Sequence, residues 1–317
     1  MGESAFGMKG KWGESFLKSG LPLEHLTQVT FRNLGWHCNP QFEYVRGTEG
    51  NEKTWSYIDL VTTSPQRNRD TELSFVIECK YHDLSRYWFF LPYESSGKWL
   101  FDDRVLNCGP YQTLTKPFAN SILDLAPISS GGIVVSEEGT KQDNAVELAV
   151  NQIVTGFVAC SLSNMFGYNI DYTNAWDEDR FIPHVTALVP VIVTNARLYR
   201  LKAEVTDLDN IRSATEPSEV ADEVQWTWYY YDVPLRIDES NIDAITAHAK
   251  REPELVYRYP GVEERMYEFS ARPNWLAIVN IKALSSAASD IHQRFLKLRT
   301  HDVKRFVRPI KKQRRKS

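Results

Sequence analysis

Two acidic residues and one lysine stand in two neighbouring apolar segments of the sequence. Asp59 lies in the run SYIDLVT, and Glu78 and Lys80 lie two residues apart in VIECKY. Because the side chains of a strand alternate between its two faces, Glu78 and Lys80 project from the same face, and Asp59 on an adjacent strand can meet them. Two close carboxylates repel each other unless a cation lies between them, and Mg²⁺ prefers such oxygen ligands. We therefore expect a divalent-cation site here.

A site of this kind suits the hydrolysis of phosphodiester bonds. A bound cation lowers the pKa of a water and neutralises the charge that builds on a phosphate. A lysine beside the cation can orient that water or stabilise the transition state. A simpler interpretation stays open, because Glu-x-Lys is a common tripeptide and the three side chains could form a structural ion pair. Burial favours function, since charges that directly follow LSFVI lie near a core and rarely persist there without a partner or a metal.

The periodicity of apolar residues predicts the elements that carry these side chains. The segment Leu21–Leu34 has apolar residues at helical spacing, with Pro22 in the first turn and Gly35 at the end, which is typical of an amphipathic helix. The segments Trp55–Thr62 and Leu73–Tyr81 are typical of strands, and the polar stretch between them predicts a hairpin.

The rest of the chain alternates strand-like and helix-like segments, which predicts an α/β protein with a mixed central sheet flanked by helices. We expect further strands at Trp36–Arg46, Gly131–Ser136, Ala187–Thr194, Leu198–Glu204 (beside the strand before it), Val224–Val233 and Asn274–Ala283. We expect helices at Asn144–Leu162, Asp238–Lys250 and Ser285–Leu298. Loops are expected at Gly47–Lys53 and Asp207–Glu223, and an insertion of loops and short elements is expected at Tyr87–Pro127. The aromatic run Trp226–Tyr231 is either core or a stacking surface for bases.

With these elements in place, the residues resemble the PD-(D/E)xK superfamily of restriction-endonuclease-like nucleases. The order of a helix, a strand with Asp and a strand with Glu-x-Lys is similar to that family, and Glu24 in LPLEHLTQVTFRNLGW resembles the helix acid of its Mrr-like branch. The likeness covers about residues 20–82 and a later strand and helix, Gly131–Ser136 and Asn144–Leu162; it does not cover the C-terminal half, and Ile58 stands where the family often has Pro. The resemblance implies a restriction-endonuclease-like core with a large α/β insertion or C-terminal elaboration.

The resemblance also implies a role for each matching residue. Asp59 and Glu78 would bind Mg²⁺ directly, and Mn²⁺ could substitute for it. The backbone carbonyl of Cys79 would be a further ligand, so that its thiol points away into the core. Lys80 would assist the attacking water. Glu24 would act on the metal through water or orient a second ion, although an ordinary exposed helix residue remains the alternative.

Gln152 and His82 are weaker candidates for the same site. Gln152 lies on the helix that, in similar nucleases, packs beside the site and presents a polar residue to the nucleic acid; the alternative is a plain surface position. His82 shares the face of Lys80 in an extended chain and could contact phosphate. Histidines in such positions are more often surface or core residues.

The charge of the chain is distributed unevenly. The 317 residues are 42% hydrophobic and 25% charged, which excludes a disordered or collagen-like chain. The net charge is −4, but ten basic residues and one acidic residue between Lys297 and Ser317 give +9, which leaves −13 for the rest.

We expect a single nuclease-like α/β domain with insertions over residues 1–300 and a basic tail over 301–317, which is either a phosphate-binding arm or a solvated charge run.

Absent motifs narrow the class of protein further. The sequence has no GxxxxGK[ST], GxSxG, HExxH or CxxC, so any ATP-driven step would belong to a separate ATPase, helicase or sensor protein. It has neither a signal-peptide pattern nor a membrane span, so we expect a cytoplasmic protein without a membrane partner; oligomerisation stays open.

The sequence thus predicts a Mg²⁺-dependent endonuclease acting on nucleic acid, most of all DNA, in restriction, anti-phage defence or repair. A catalytically silent nucleic-acid-binding module on the same fold and an RNA nuclease are the alternatives.

Overall fold

The computed structural model describes residues 11–49, 52–65, 71–82, 85–93, 107–108, 112–113, 122–142, 144–172, 185–231 and 275–297. Their helices are α1 (Lys11–Lys18), α2 (Leu21–Asn33), α3 (Ala145–Tyr172), α4 (Leu208–Ser213), α5 (Pro217–Val220) and α6 (Leu284–Leu296), with a 3₁₀ turn at Ile281–Ala283. Their strands are β1 (His37–Glu49), β2 (Glu52–Thr63), β3 (Thr71–Lys80), β4 (Arg86–Pro92), β5 (Asn107–Cys108), β6 (Gln112–Thr113), β7 (Ile128–Ser136), β8 (Lys141–Gln142), β9 (Val185–Thr194), β10 (Arg197–Leu201), β11 (Ala221–Val224), β12 (Trp226–Tyr230) and β13 (Trp275–Asn280).

Most of these strands form one mixed sheet in the order β1-β2-β3-β9-β13-β12-β7-β4-β10-β11, with β8 beside β7. The pairs β1–β2 and β2–β3 are antiparallel, so the predicted hairpin is present. The strands β3, β9 and β13 are parallel neighbours. The predicted α/β class with a mixed sheet flanked by helices is therefore confirmed.

The sheet separates two apolar cores, one under α2 and α6 and one under α3. In β9 the residues Val189, Val191 and Val193 belong to the first core, whereas Leu188 and Ile192 belong to the second. Burial on both faces is expected of a parallel strand in the centre of a sheet, and it explains why this segment is almost continuously apolar. The site described below lies on β3, the immediate neighbour of this strand.

Helix α2 begins and ends where its sequence predicts. Pro22 occupies the first turn, and Gly35 follows the last turn with a φ of 78°, a left-handed conformation that glycine adopts without a steric penalty. The N–H of Trp36 donates to the carbonyl of Phe31 at 3.0 Å, which closes the helix end and turns the Trp36 ring onto the Phe31 ring. The helix is thereby fixed against the sheet next to β3.

Three segments that we expected to be loops, or loops with short elements, contain more regular structure than we predicted. The expected loop Gly47–Lys53 is shorter, since β1 continues to Glu49 and β2 begins at Glu52. The expected insertion Tyr87–Pro127 begins with β4, a full strand of the large sheet whose Trp88 and Phe90 lie in the α3 core. The acidic segment Asp207–Glu223 contains α4, α5 and most of β11. The four consecutive aromatic residues of β4 carried a strand signal that the surrounding prolines obscured.

A prediction about neighbouring strands is also wrong. The strand β10 lies between β4 and β11 rather than beside β9. The strand beside β3 is β9, whereas β7 lies between β12 and β4. Short apolar runs resemble one another, so periodicity identifies strands without identifying their neighbours.

The aromatic run of β12 packs as core, because Trp226, Trp228, Tyr229 and Tyr231 are all buried. The predicted helix Asp238–Lys250 and the basic tail lie outside the described residues.

Candidate active site

The antiparallel ladder between β2 and β3 stops at the position of Asp59. The paired residues run from Thr63 opposite Ser74 to Leu60 opposite Ile77, and the next position breaks the pattern. There, Asp59 Oδ2 accepts a hydrogen bond from the backbone N–H of Cys79 at 2.6 Å. The Cys79 N–H therefore donates to the Asp59 carboxylate, and the β2–β3 backbone ladder ends there.

The alternation of β2 is broken at the same place. Ile58 and Leu60 are two residues apart, yet Ile58 lies in the α3 core and Leu60 in the α2 core. On β1, between the residues that pair with these two, Gln41 has a φ of 52°. A local distortion of both strands therefore accompanies the Asp59 side chain, in the way that irregular strand positions often re-aim a functional residue.

Glu78 and Lys80 lie on the side of β3 that faces α3. Glu78 is buried, with 5% of the residue's surface exposed. Lys80 Nζ donates to Glu78 Oε1 at 2.7 Å and to Gln152 Oε1 of α3 at 2.6 Å. The lysine amine is therefore held between a strand residue and a helix residue that are far apart in the sequence.

Gly156 allows α3 to approach the sheet closely enough for this contact. A Cβ atom built on Gly156 would lie 2.0 Å from Ile58 Cδ1, far inside van der Waals contact. Gly156 stands four residues after Gln152, so both lie on the same side of the helix. The glycine was not singled out from the sequence, because its importance depends on a residue almost a hundred positions away.

Helix α2 is attached to β3 through Cys79. The Cys79 thiol donates to Thr27 Oγ1 at 3.6 Å, and Thr27 Oγ1 donates to the Leu23 carbonyl at 2.8 Å. The thiol thus points into the α2 core, as the sequence led us to expect. Because Glu24 follows Leu23, the same contacts bring the first turn of α2 towards the acids of the hairpin.

Burial raises the pKa values of all three acids, and repulsion from Asp59 adds to the shifts of Glu24 and Glu78. Burial, followed by repulsion from Asp59, raises the pKa of Glu78 to about 7; Lys80 opposes this shift, and Glu24 adds to it. Burial also raises the pKa of Asp59, against the stabilising Cys79 N–H and Lys80. The pKa of Glu24 is raised first by its partial burial and then by Asp59. Lys80 is the cation that acts on all three, so the ionised site carries more negative than positive charge.

The excess negative charge and the oxygen ligands fit a hard divalent cation. Within the described ranges, no group of three or more His, Cys, Asp and Glu side chains could hold a metal ion. Mg²⁺, however, is commonly held by one or two carboxylates with waters in the remaining positions. Asp59 and Glu78, with the backbone carbonyl of Cys79, are the groups that would hold such an ion.

His82 lies beside the site and packs against the core, which fits the structural alternative that the sequence left open. Its ring packs edge-on against Trp88 with 5.4 Å between centroids. Burial, with smaller contributions from Arg86 and Lys80, lowers the pKa of His82 to about 4. Asn195, which the sequence did not single out, bonds both backbone groups of His82. The imidazole is therefore neutral near pH 7 and partly enclosed.

The site lies at the carboxyl ends of three parallel strands. Lys80 is the last residue of β3 and pairs with Thr194 at the end of β9, which in turn pairs with Asn280 at the end of β13. Ligands of open α/β sheets bind outside the carboxyl ends of their strands. The position of the trio in the sheet is thus one where a ligand is expected.

Comparisons with known proteins leave the site to be interpreted from its own chemistry. Among the helices that the structure describes, none has the length and apolar character needed to span a membrane. The chain matches no protein-family model, and neither a curated protein nor a solved structure matches it.

Proposed function

We propose that this protein is a Mg²⁺-dependent endonuclease that hydrolyses phosphodiester bonds of DNA. The observation that carries the proposal is the pair of buried carboxylates, Asp59 and Glu78, at the point where the hairpin opens, with Lys80 beside them. Buried acids that repel each other reduce stability, so they are expected where they serve a function. Their position at the carboxyl ends of parallel strands supports the same conclusion.

The order of the elements supports a restriction-endonuclease-like core as part of this proposal. Helix α2 precedes a strand with Asp and a strand with Glu-x-Lys, as in the family that the sequence resembles. Helix α3 then packs on β3, and β9 pairs in parallel with β3. The strands β4 to β8 are an insertion in this scheme, and everything after β9 is a C-terminal elaboration.

In the proposed site, Asp59 and Glu78 hold the cation with the Cys79 carbonyl, and Glu24 acts through water. When bound, Mg²⁺ would lower the pKa of a water and neutralise charge on the phosphate. Glu78 has two carboxylate oxygens, so one can bind the cation while Oε1 accepts from Lys80. Gln152 also holds the amine in place. From there, Lys80 Nζ can donate a hydrogen bond to the attacking water or to a phosphate oxygen.

The proposed partners follow from the same chemistry. Nucleic acid is the substrate, and the protein body, which carries most of the negative charge, would repel it. The basic segment 301–317, or a separate ATPase, helicase or sensor protein, would then deliver the substrate. We place the activity in the cytoplasm, in restriction, anti-phage defence or repair.

The test is cleavage of plasmid DNA by the purified protein with Mg²⁺ or Mn²⁺, compared with the same reaction in EDTA. The variant Glu78→Gln removes one charged ligand while keeping the shape of the side chain. Glu223→Gln is the matched control, because Glu223 forms an exposed ion pair with Arg197 on the β10–β11 edge. The proposal predicts metal-dependent cleavage by the wild type and the control and none by Glu78→Gln. Equal cleavage by all three proteins, or none on plasmid, single-stranded DNA and RNA with candidate partners present, contradicts it.

A further inference from the structure

The turn between β9 and β10 holds the chain directly after Lys80. Asn195, in this turn, uses its side-chain amide on both polar groups of the His82 backbone. Asn195 Oδ1 accepts from the His82 N–H at 2.8 Å, and Asn195 Nδ2 donates to the His82 carbonyl at 2.6 Å. An extended chain in a sheet bonds both its N–H and its C=O groups to a neighbour. Asn195 reproduces this pattern for His82, beyond the end of β3.

The chain around Lys80 is consequently attached at two places, to the end of β9 and to the turn that follows it. On one side, Lys80 pairs in register with Thr194, the last residue of β9. On the other side, Asn195 fixes the backbone of His82, and the His82 ring packs on the fully buried Trp88. Only Tyr81 separates Lys80 from His82, so the backbone that carries the lysine side chain has little freedom to move.

The position of this backbone matters because the lysine amine makes two short bonds in different directions. Lys80 Nζ donates to Glu78 on its own strand and to Gln152 on α3. A long lysine side chain loses rotational freedom when it is held in this way, so its bonds depend on an anchored backbone. Misplacement of a reacting group by about 1 Å can reduce a rate by about a hundredfold.

We propose that Asn195 is a positioning residue for Lys80: by bonding both backbone groups of His82, it holds the end of β3 so that the Lys80 amine stays between Glu78 and Gln152. The effect on catalysis rests on the proposed nuclease function. The effect on the lysine amine does not, and it can be measured in a protein with no known substrate.

The first experiment measures the accessibility of the amine by limited acylation. The folded full-length protein is treated with acetic anhydride, and the rate at Lys80 is determined by peptide mass spectrometry relative to Lys18, an exposed residue of α1. In Asn195→Ala, we expect acylation of Lys80 to be faster by about threefold or more, because the segment opens more often. In Asn195→Asp, which keeps the acceptor for the His82 N–H and loses the donor to its carbonyl, we expect an intermediate rate and a second result if the alanine variant fails to fold.

Thr227→Val is the matched control for general loss of stability. Thr227 Oγ1 donates to the Pro127 carbonyl at 2.8 Å in a buried position of β12, which β9 and β13 separate from β3. The substitution removes a side-chain-to-backbone bond of the same kind far from Lys80. An acylation rate of Lys80 that is unchanged in both Asn195 variants, or that rises as much in Thr227→Val, overturns the proposal.

The second experiment is steady-state cleavage of DNA with Mg²⁺. Asn195→Ala is expected to lower kcat by about tenfold with little change in KM, whereas Thr227→Val leaves both unchanged. A fall in kcat shared by both variants, or a change confined to KM, contradicts a positioning role. If the wild type cleaves nothing, the proposed function fails, and the acylation result alone decides whether Asn195 positions Lys80.

Discussion

Replacing Glu78 by glutamine is expected to stabilise the metal-free protein at pH 8. In the folded chain the pKa of Glu78 is about 7, against an ordinary value of 4.5, because burial and Asp59 disfavour its ionised form more than Lys80 favours it. Above pH 7 the folded protein therefore holds a carboxylate in a place where a neutral group is preferred. Glutamine has the same shape, carries no charge and can still accept a hydrogen bond from Lys80.

The size of the effect follows from the two pKa values. They differ by about 2.5 pH units, and each unit corresponds to about 1.4 kcal/mol, so ionisation of Glu78 costs the folded state about 3 kcal/mol. Below pH 4.5 the carboxyl is protonated in both the folded and the unfolded chain, and the penalty is absent. As the pH rises from 4.5 to 7, the unfolded chain binds fewer protons than the folded one, so the stability of the wild type falls; above pH 7 the penalty is constant.

The assay is urea unfolding in EDTA at pH 5 and pH 8. At pH 8, Glu78→Gln should exceed the wild type in unfolding free energy by about 3 kcal/mol, and the gain should largely disappear at pH 5. The control Glu223→Gln should be no more stable than the wild type, because it breaks an exposed ion pair worth about 1 kcal/mol or less. Addition of Mg²⁺ should stabilise the wild type and leave Glu78→Gln unchanged.

A loss of stability in Glu78→Gln at pH 8 would refute this reasoning. That result would mean that Glu78 and Lys80 form a structural ion pair, which removal of one charge disrupts. The absence of any stabilisation of the wild type by Mg²⁺ would support the same interpretation.

Three further substitutions or truncations test other parts of the site. Gly156→Ala should lower the unfolding free energy by about 1–3 kcal/mol, because the added methyl group overlaps Ile58. The control Gly13→Ala has open space around its methyl group and should raise the unfolding free energy by up to about 1 kcal/mol. Equal effects of the two substitutions in urea unfolding would contradict the close approach of α3 to the sheet. Gln152→Ala should reduce kcat of DNA cleavage by about tenfold without raising KM, since it releases the lysine amine; an effect on KM alone would assign it to substrate binding. Deletion of the residues after Arg299 should weaken DNA binding in fluorescence anisotropy and leave the stabilisation by Mg²⁺ unchanged; loss of both would contradict a separate binding arm.

The sequence predicted those parts of the site that depend on local periodicity. Helix α2, the hairpin of β2 and β3 and the start of α3 each have a clear apolar period and recognisable ends, so their existence could be predicted. The side-chain alternation of β3 placed Glu78 and Lys80 on one face, and the structure brings both of them and Asp59 together at the end of the hairpin. A hairpin makes its two strands neighbours, so these contacts required no knowledge of the remaining fold.

The contacts that the sequence did not reveal join residues far apart in the chain. Asn195 and His82 are separated by 113 positions, and neither stands out from its own segment. Gly156 resembles any glycine within a helix until Ile58 is placed against it. The position of β7 could not be predicted for a related reason, because the choice of a neighbouring strand depends on the packing of the whole sheet. The Asn195–His82 bonds, the Gly156–Ile58 contact and the place of β7 in the sheet all depend on tertiary packing, which local sequence patterns do not encode.

The most direct test of the account is a crystal structure of the protein with Mn²⁺, located by its anomalous scattering. A metal-dependent active site at these two acids requires a peak in contact with one oxygen of Asp59 and one oxygen of Glu78, and no such peak in crystals of Glu78→Gln. Carboxylates too far apart to share one ion, or a peak that persists in Glu78→Gln, would contradict the claim that these two acids form a metal-dependent active site.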